Sequence, residues 1–307
     1  MKLDAKVNMA IIGIGLIGSS LARAVHHYDL AERVALYDLD PLVRQRAQEL
    51  GLGMVCETVV QAVKDAELVV LCTPPSSIAE IGSQIVGALK LGAILTDVSS
   101  VKVAMIDQLA PIVPDHCFFV PGHPIAGAER SGPDAGFASL FVNRWAILTP
   151  LNDSRHGYGE AVVRLSRLWE AMGAKVELMD PMRHDQVLAM TSHLPHLIAF
   201  CLVATAQDME TLTDSEVVKY SAGGFRDFTR IAASDPTMWR DVFLLNKDAI
   251  LDLLGRFSED LTALRRAIRW SDGATLFSTF ERARKMRRDV IDAGQDVDAP
   301  NFGRDRR

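Results

Sequence analysis

The chain is short of cysteine and has no cysteine motif. It contains four cysteines among 307 residues, Cys56, Cys72, Cys117 and Cys201, and no two of them form a Cys-x-x-Cys pair. Isolated cysteines argue against a disulfide framework or a cysteine-based zinc site and are typical of reduced thiols. We therefore expect a cytoplasmic protein.

An excess of positive charge and a long apolar run are also missing. The formal net charge is −6, which argues against nucleic acid as the main partner because phosphate backbones bind clusters of Lys and Arg. Gly, Pro or a charged residue interrupts each apolar run before about 18 residues, the length needed to cross a bilayer. The sequence therefore predicts neither nucleic-acid binding nor a membrane span, and a small molecule is the expected partner.

Apolar residues, in contrast, are abundant enough for a large core. They make up 49% of the 307 residues, and a chain of this length usually folds as two domains. Up to about Asp180 short apolar strands alternate with helices, a pattern that predicts a mostly parallel sheet with right-handed crossovers. We interpret residues 1–180 as a doubly wound, Rossmann-type α/β domain whose sheet extends through strands near Trp145–Thr149 and Lys175–Met179.

In the rest of the chain the strand signals stop. The segments with helical apolar spacing are 185–207, 238–257 and 274–293. We interpret residues 181–294 as an all-helical domain and residues 295–307 as a disordered tail. Apolar residues that recur on one helical face, such as Leu251, Leu254 and Phe257, need a partner surface. We therefore expect a homodimer that forms through the helical domain.

A glycine-rich turn follows the first predicted strand. Gly13, Gly15 and Gly18 form a G-x-G-x-x-G pattern, with Leu16 and Ile17 between the second and third glycines. The pattern is weak alone, but between a strand and a helix it is typical of a dinucleotide site. The pyrophosphate then meets the free N–H groups at the start of the helix.

An acidic residue and a Thr-Pro turn complete the expected cofactor site. Asp38 ends the second predicted strand, about 20 residues after Gly18, where a carboxylate accepts a hydrogen bond from a ribose 2′-hydroxyl and repels a 2′-phosphate. Thr73 and Pro74 follow another strand, where they either contact the cofactor or form a plain loop. The sequence therefore predicts NAD rather than NADP.

His123 is the best candidate for a catalytic base. It lies in residues 121–132, a segment that follows a strand and is too rich in Gly and Pro to be helical, so we expect a loop at the ligand edge of the sheet. Histidine exchanges protons near neutral pH and can take the proton of a substrate hydroxyl. The alternative is an ordinary loop histidine.

A second polar cluster interrupts a long apolar helix. His193 and His196 flank Pro195, which should kink the helix and free backbone groups. Together with His184 these histidines could be zinc ligands, but no Cys or Asp at ligand spacing completes a tetrahedral set. We therefore predict no metal site.

Two arginines form the third candidate segment. Arg226 and Arg230 follow a Gly-Gly pair and are about one helical turn apart. Guanidinium groups pair well with carboxylates, so these residues could bind an anionic substrate. The alternative is a surface ion pair with Asp227 or Asp241.

Five segments, taken together and in order, resemble the prephenate and arogenate dehydrogenases, also called cyclohexadienyl dehydrogenases. They are GIGLIGSS in the glycine turn, DVSSVK at 97–102, GHPIAGAERSG at 122–132, TSHLPH at 191–196 and GGFRDFTRIAASDPTMWRD at 223–241. The resemblance implies an NAD-dependent oxidative decarboxylation in tyrosine biosynthesis. Hydride leaves the ring carbon that bears the hydroxyl, the ring carboxylate departs as CO2, and the ring becomes aromatic.

The resemblance also implies roles for individual residues. His123 would draw the hydroxyl proton, Ser100 would orient His123 and the hydroxyl, and Arg230 would pair with a substrate carboxylate. Other residues expected near the substrate are His193, His196, Glu129, Arg226 and Trp239. Of the two TSHLPH histidines, His196 is favoured as the one that faces the substrate. We expect conversion of prephenate to 4-hydroxyphenylpyruvate, with arogenate also accepted, because the arginines suit the more anionic ligand.

Three other functions fit parts of the sequence. The first is an arogenate-preferring dehydrogenase. The second is a β-hydroxyacid dehydrogenase, although that family typically has a catalytic Lys on its helical domain where this chain carries Arg226 and Arg230. The third is a non-catalytic NAD(H) sensor, against which the presence of both His123 and Arg230 counts.

Overall fold

The computed structural model describes residues 6–127, 130–210 and 216–292. Glu129 and the predicted tail at 295–307 therefore lie outside the described residues. Backbone packing divides the chain into two compact units, residues 1–250 and residues 251–307. All the candidate site residues that the structure describes belong to the first unit.

A six-stranded parallel sheet organises the first part of the chain. Its strands are β1 (Val7–Ile12), β2 (Ala31–Tyr37), β3 (Met54–Val55), β4 (Leu68–Leu71), β5 (Ile94–Asp97) and β6 (Phe118–Phe119). They are arranged in the order β3-β2-β1-β4-β5-β6, with parallel pairing throughout. The strand order reverses between β1 and β4, and ligands of doubly wound folds bind at such a reversal. This topology confirms the predicted fold class.

Helices cover both faces of this sheet. They are α1 (Leu16–His27), α2 (Pro41–Glu49), α3 (Val59–Val63), α4 (Ile78–Ile85), α5 (Val103–Leu109) and α6 (Tyr158–Ala171). Side chains of β1 alternate between the two layers: Met9 and Ile11 pack in the core cluster that includes α1 and α6, and Ala10 and Ile12 pack in the one that includes α3, α4 and α5. This alternation follows from the two-residue period of a strand.

Three later strands form a sheet of their own. β7 (Gly122–Pro124) pairs antiparallel with β8 (Trp145–Leu148), and β8 pairs parallel with β9 (Lys175–Leu178). The prediction that these strands extend the first sheet was wrong. Pro121 has no N–H for a ladder, and the next N–H, that of Gly122, donates to the Asp97 carboxylate at 3.3 Å. The chain therefore leaves the first sheet after β6.

Beyond Asp180, residues 181–210 and 216–292, which the structure describes, form helices joined by short turns. The helices are α7 (Pro181–Leu188), α8 (Leu194–Glu210), α9 (Glu216–Lys219), α10 (Gly223–Thr229), α11 (Pro236–Leu245), α12 (Lys247–Arg269) and α13 (Gly273–Asp292). Two of them begin with an Asp-Pro pair, in which Asp180 caps the N–H of Arg183 and Asp235 caps the N–H of Met238. The segment 238–257, which has helical apolar spacing, belongs to two helices: α11 ends at Leu245, and the side chain of Asn246, at the break, is buried in the candidate site.

A π-helical turn at Ala189–His193 joins α7 to α8. The turn precedes Pro195, so the helix continues past this proline instead of ending there, and π-helical turns are often found at functional sites. The segment Pro181–Met209 is consequently long and apolar enough to span a membrane by length and composition, contrary to the sequence-based expectation, and 28% of its most apolar window is buried. Much of its apolar surface, including Leu202 and Val203, is exposed in the single chain.

Candidate active site

The glycine turn has the geometry of a phosphate-binding loop. Gly13 has φ +95°, and a Cβ there would lie 2.7 Å from the carbonyl oxygen of Cys72. A Cβ on Gly18 would lie 2.0 Å from the carbonyl oxygen of Gly13, whereas a Cβ on Gly15 would meet nothing within 4 Å. The first and third glycines are therefore required by packing, and the second leaves open space beside the backbone.

Polar groups around this turn fit a dinucleotide. The Asp38 carboxylate accepts the N–H of Ile14 at 2.7 Å and the N–H of Asp40 at 3.0 Å, so it lies directly beside the glycine turn. The start of α1, where Leu16 and Ile17 are half-buried, has no side-chain cap and no acidic residue in its first turn. Its N–H groups suit an anion.

The Thr-Pro turn after β4 lies against the same glycines. A Cβ on Gly13 would lie 2.9 Å from the methyl group of Thr73, and the hydroxyl of Thr73 is buried without a hydrogen-bond partner among the described residues. Pro74, the next residue, is exposed. Because a buried hydroxyl without a partner is costly, the Thr73 hydroxyl is suited to a ligand group.

His123 lies in a strand rather than in the predicted loop. It is the central residue of β7, it pairs with Ile147 of β8, and 8% of its surface is exposed. The dense Gly and Pro content that suggested a loop describes the ends of this three-residue strand, Gly122 and Pro124. The backbone of His123 is therefore fixed by a sheet.

His123 begins a buried chain of three side chains, which we call the His-His-Asp chain: His123, His184 and Asp185. Nδ1 of His123 lies 2.9 Å from Nε2 of His184, and Nδ1 of His184 lies 2.8 Å from Oδ1 of Asp185. The Asp185 carboxylate also accepts the backbone N–H groups of Lys102 at 2.8 Å and Val103 at 2.9 Å. The chain connects β7 to α7 and to the start of α5.

A buried ion pair contacts the residue that precedes His123. Nζ of Lys102 is 2.5 Å from the Asp97 carboxylate and donates to the carbonyl of Gly122 at 2.6 Å, and the Lys102 and Asp97 side chains are fully buried. Burial lowers the pKa of Lys102, and the carboxylate of Asp97 opposes that change. The pair fixes the backbone immediately before His123.

The histidines of this site are neutral near pH 7. Burial lowers the pKa of His123 well below its ordinary value, and repulsion between a protonated His123 and the titratable groups of His184, Lys102 and His193 lowers it further. Burial also lowers the pKa of His184, although Asp185 opposes the change. A neutral imidazole keeps a lone pair, so His123 can accept a proton at neutral pH.

His193 is held behind this chain by Asn246. The Asn246 amide nitrogen donates to the backbone carbonyl of Asp185 at 2.9 Å and lies 3.1 Å from Nδ1 of His193. An amide nitrogen only donates, so Nδ1 of His193 accepts and its proton is on Nε2. Burial lowers the pKa of His193 to about 4, and the backbone of Ser100, which is close to the imidazole, opposes the change.

His196 and Trp239 form a stacked pair at the other end of the histidine cluster. Their ring centroids are 3.7 Å apart, with the planes tilted by 22°, and Nδ1 of His196 lies 2.8 Å from the carbonyl of Ser192. Burial lowers the pKa of His196, and the charge of Arg230 lowers it further, which places Arg230 near this imidazole. Because His193 is fully buried and His196 is half-buried, the geometry favours His196 as the histidine that meets a ligand.

The structure therefore brings together most of the candidate residues. The cluster that runs from His123 to Arg230 contains His123, Ser100, His193, His196, Trp239 and Arg230. Arg226 is exposed on α10, and its role stays a prediction, as does that of Glu129, which is not described. Among the described residues, no group of three or more His, Cys, Asp or Glu side chains could hold a metal ion.

The sequence-based interpretation missed the supports of His123. From sequence alone, Asp97 and Lys102 appear only as part of a motif, His184 appears only as a possible zinc ligand, and nothing distinguishes Asp185 or Asn246 as site residues. Two features of the sequence could have indicated these supports: Lys102 lies close to Asp97, and His184 is next to Asp185, both near predicted core segments. Charged residues are rarely buried without a partner, so such neighbours are candidates for buried pairs.

Comparison with known proteins identifies the family. The family model for the nucleotide-binding domain of prephenate dehydrogenase matches residues 21–178, and the model for its dimerization domain matches residues 180–282. The chain belongs to the prephenate dehydrogenase family. It is therefore an oxidoreductase, and the resemblance drawn from the five sequence segments is confirmed.

Three relatives illustrate the similarity. A cyclohexadienyl dehydrogenase of Zymomonas mobilis is 43% identical over 281 residues, which cover 91% of this chain and 94% of the relative. The solved structure of Aquifex aeolicus prephenate dehydrogenase with hydroxyphenyl propionate and NAD+ has a TM-score of 0.86 at 32% identity, covering 94% of this chain and 100% of that one. Synechocystis arogenate dehydrogenase has a TM-score of 0.75 at 26% identity, covering 92% and 99%.

Proposed function

We propose that this member of the family is a cyclohexadienyl dehydrogenase of tyrosine biosynthesis that converts prephenate to 4-hydroxyphenylpyruvate and also accepts arogenate. The observation that carries the proposal is His123, a buried neutral imidazole whose Nδ1 is engaged by His184, so that Nε2 remains for a substrate hydroxyl. The naming of the Zymomonas relative as a cyclohexadienyl dehydrogenase supports the dual specificity.

NAD is the cofactor. Gly13, Gly15 and Gly18, the uncapped start of α1 and the Asp38 carboxylate beside the turn fit a dinucleotide that has a free ribose 2′-hydroxyl. The related Aquifex structure holds NAD+. When bound, NAD supplies a hydride acceptor for the ring carbon of the substrate.

His123 acts as the base in the proposed reaction. As hydride leaves the carbon that bears the ring hydroxyl, Nε2 of His123 takes the hydroxyl proton and a carbonyl forms. The bond to the ring carboxylate then breaks, its electron pair enters the ring, CO2 departs, and His123 returns the proton to the oxygen. Aromatisation of the ring makes the second step favourable, and we assign Ser100 to orient the hydroxyl.

Arg230 is proposed to bind a substrate carboxylate. It lies near His196, which stacks on Trp239, so a guanidinium group, an imidazole and an aromatic ring form one wall of the site. A substrate with two carboxylates that approaches a chain of net charge −6 needs such a local cation. The same reasoning supports prephenate over arogenate, whose side chain carries a compensating ammonium group.

Absorbance of the reduced cofactor, NADH or NADPH, tests the proposal. The purified protein is assayed with NAD or NADP and with prephenate or arogenate, and kcat/KM is compared for the four pairs. The largest value is expected for NAD with prephenate, with measurable turnover of arogenate. A higher kcat/KM for arogenate makes the protein an arogenate-preferring enzyme, and NAD binding without any turnover supports the sensor alternative.

A homodimer through the helical domain is also proposed, with the domain boundary near Asp180. Exposed apolar side chains on α8, such as Leu202, Val203 and Met209, need cover, and the matching family model is that of a dimerization domain. Light scattering at several protein concentrations measures the mass directly. A constant mass of one chain would contradict the dimer.

A further inference from the structure

We propose that His184 and Asp185 are positioning residues that fix the tautomer of His123, so that its base is Nε2. Neither residue needs to touch the substrate in this arrangement. The inference rests on the proposed function, because it explains how the proposed base is kept ready. The supporting observations are the hydrogen bonds between the side chains of the His-His-Asp chain and the hydrogen bonds from backbone groups that hold these side chains in place.

The first step concerns Asp185. Oδ1 accepts the backbone N–H of Lys102 at 2.8 Å, and Oδ2 accepts the backbone N–H of Val103 at 2.9 Å. Backbone N–H groups can only donate, so each carboxylate oxygen is committed as an acceptor. The carboxylate is also fixed in place, because the Asn246 amide holds the backbone carbonyl of Asp185 at 2.9 Å.

The second step follows the protons along the chain. Since Asp185 accepts, Nδ1 of His184 carries the proton in their 2.8 Å hydrogen bond. A neutral His184 then has a lone pair on Nε2, which accepts a proton donated by Nδ1 of His123 at 2.9 Å. Nε2 of His123 is therefore unprotonated, and it can take a proton from a hydroxyl.

The third step concerns rigidity. The rings of His123 and His184 meet edge to face, with centroids 5.1 Å apart and planes at 65°. The Lys102 ammonium holds the carbonyl of Gly122, and β8 holds the backbone of His123 itself. With the backbone fixed from one side and Nδ1 engaged from the other, the imidazole has one orientation and one neutral tautomer.

Loss of the His184 acceptor should reduce the rate without affecting binding. An imidazole without a partner at Nδ1 populates both neutral tautomers, and only the one with the proton on Nδ1 offers Nε2 as a base. Removing the hydrogen-bond partner that orients a metal-bound histidine typically costs about 10-fold to 100-fold in activity, and we expect a loss of the same order for His123. Contacts with the substrate carboxylates and with the glycine turn are made elsewhere and should be retained.

Two variants of His184 separate positioning from simple core packing. His184→Leu keeps the position filled with an apolar side chain but removes the acceptor. His184→Gln restores an acceptor, because its Oε1 can receive the proton of Nδ1. The exposed His156→Leu is the matched control for loss of a histidine elsewhere in the chain.

Steady-state kinetics provide the first test. In His184→Leu, kcat should fall by about 10-fold to 100-fold while KM and the Kd for NAD stay within about twofold, and His184→Gln should recover most of kcat. His156→Leu should match the wild type. An unchanged kcat in His184→Leu, or equal losses in the Leu and Gln variants, would overturn the inference.

Nitrogen NMR of histidine-labelled protein reads the tautomer without any turnover, with the His123 signals assigned by their absence in His123→Asn. His123 should carry its proton on Nδ1 in the wild type and in His184→Gln, and should shift toward Nε2 in His184→Leu. A wild-type His123 protonated on Nε2 overturns the inference even if the enzyme is active. If no substrate is turned over but the expected tautomers are seen, the proposed function fails and the positioning role stands.

Discussion

The two ends of the candidate site differ in how firmly the fold holds them. At one end, His123, His184 and Asp185 are buried, and their side chains are connected by hydrogen bonds of 2.8 to 2.9 Å. At the other end, Arg226 and Arg230 are exposed, on α10 and on the 3-10 turn Arg230–Ala233 that follows it. His123 and the two arginines were predicted from sequence as site residues, yet only His123 is built into the core.

The difference matches the demands of the two tasks. A base must be neutral and correctly oriented before the substrate arrives, and burial among fixed dipoles provides this. A group that captures a dianion must meet it in solution, and an exposed guanidinium does so with little loss of hydration. Changes at the buried end should therefore affect stability and kcat, and changes at the exposed end should affect KM.

The largest expected effect is loss of the buried cation. Lys102→Met leaves the Asp97 carboxylate buried without its partner and removes the donor to Gly122, so the free energy of unfolding should fall by about 3 to 5 kcal/mol. Lys6→Met removes an exposed partner of Asp29 and should change the unfolding midpoint little. Urea denaturation at one protein concentration measures both. Equal effects of the two substitutions would contradict the view that the buried end is fixed by this pair.

Replacement of the base comes next. His123→Asn should depress kcat by about 100-fold or more, the scale expected for lost general-base catalysis. The Kd for NAD, measured by fluorescence quenching of NADH and by competition, should be unchanged because the glycine turn lies elsewhere in the fold. A variant with normal kcat removes His123 from the mechanism.

A smaller effect is expected at the exposed end. Arg230→Ala should raise KM for prephenate by about tenfold, equivalent to about 1.4 kcal/mol, with kcat nearly unchanged. Arg226→Ala should raise it less, because Arg230 lies closer to His196. Arg33→Ala is the control, because Arg33 lies on β2 and forms an exposed ion pair with Asp65, away from the candidate site. If Arg226→Ala raises KM more than Arg230→Ala does, the substrate carboxylate is bound by Arg226 and not by Arg230.

The same contrast shows which features of the fold and of the site could be predicted from the sequence. The glycine turn, Asp38 and the strand-helix alternation depend on neighbours close in sequence, and they predicted the nucleotide-binding fold. The support of His123 comes from Lys102, His184 and Asn246, which are 21, 61 and 123 residues away in the chain. A local sequence pattern cannot predict such contacts, because whether a lysine is buried depends on residues that are distant from it in the chain.

The errors have a similar origin. Gly122 and Pro124 suggested a loop, but pairing with β8 makes a strand of the segment. The helical spacing of 238–257 gave no sign of a break, but Asn246 turns inward to hold Asp185 and His193, and the segment is divided into two helices there. In each case a tertiary partner outweighed the local signal.

The smallest expected effect is the response of kcat/KM to mild acid, which reports the base in the free enzyme. A lowered pKa keeps His123 unprotonated as the pH falls, so activity should be lost only when the pH approaches that lowered value. For an imidazole with the ordinary pKa of about 6.5, the unprotonated fraction would fall about fourfold between pH 8 and pH 6. For this protein kcat/KM for prephenate should change by less than about twofold over that interval, apart from any titration of the substrate itself, which is measured separately. A fourfold fall centred near pH 6.5 would show that His123 is less buried than its contacts with His184 and Lys102 imply.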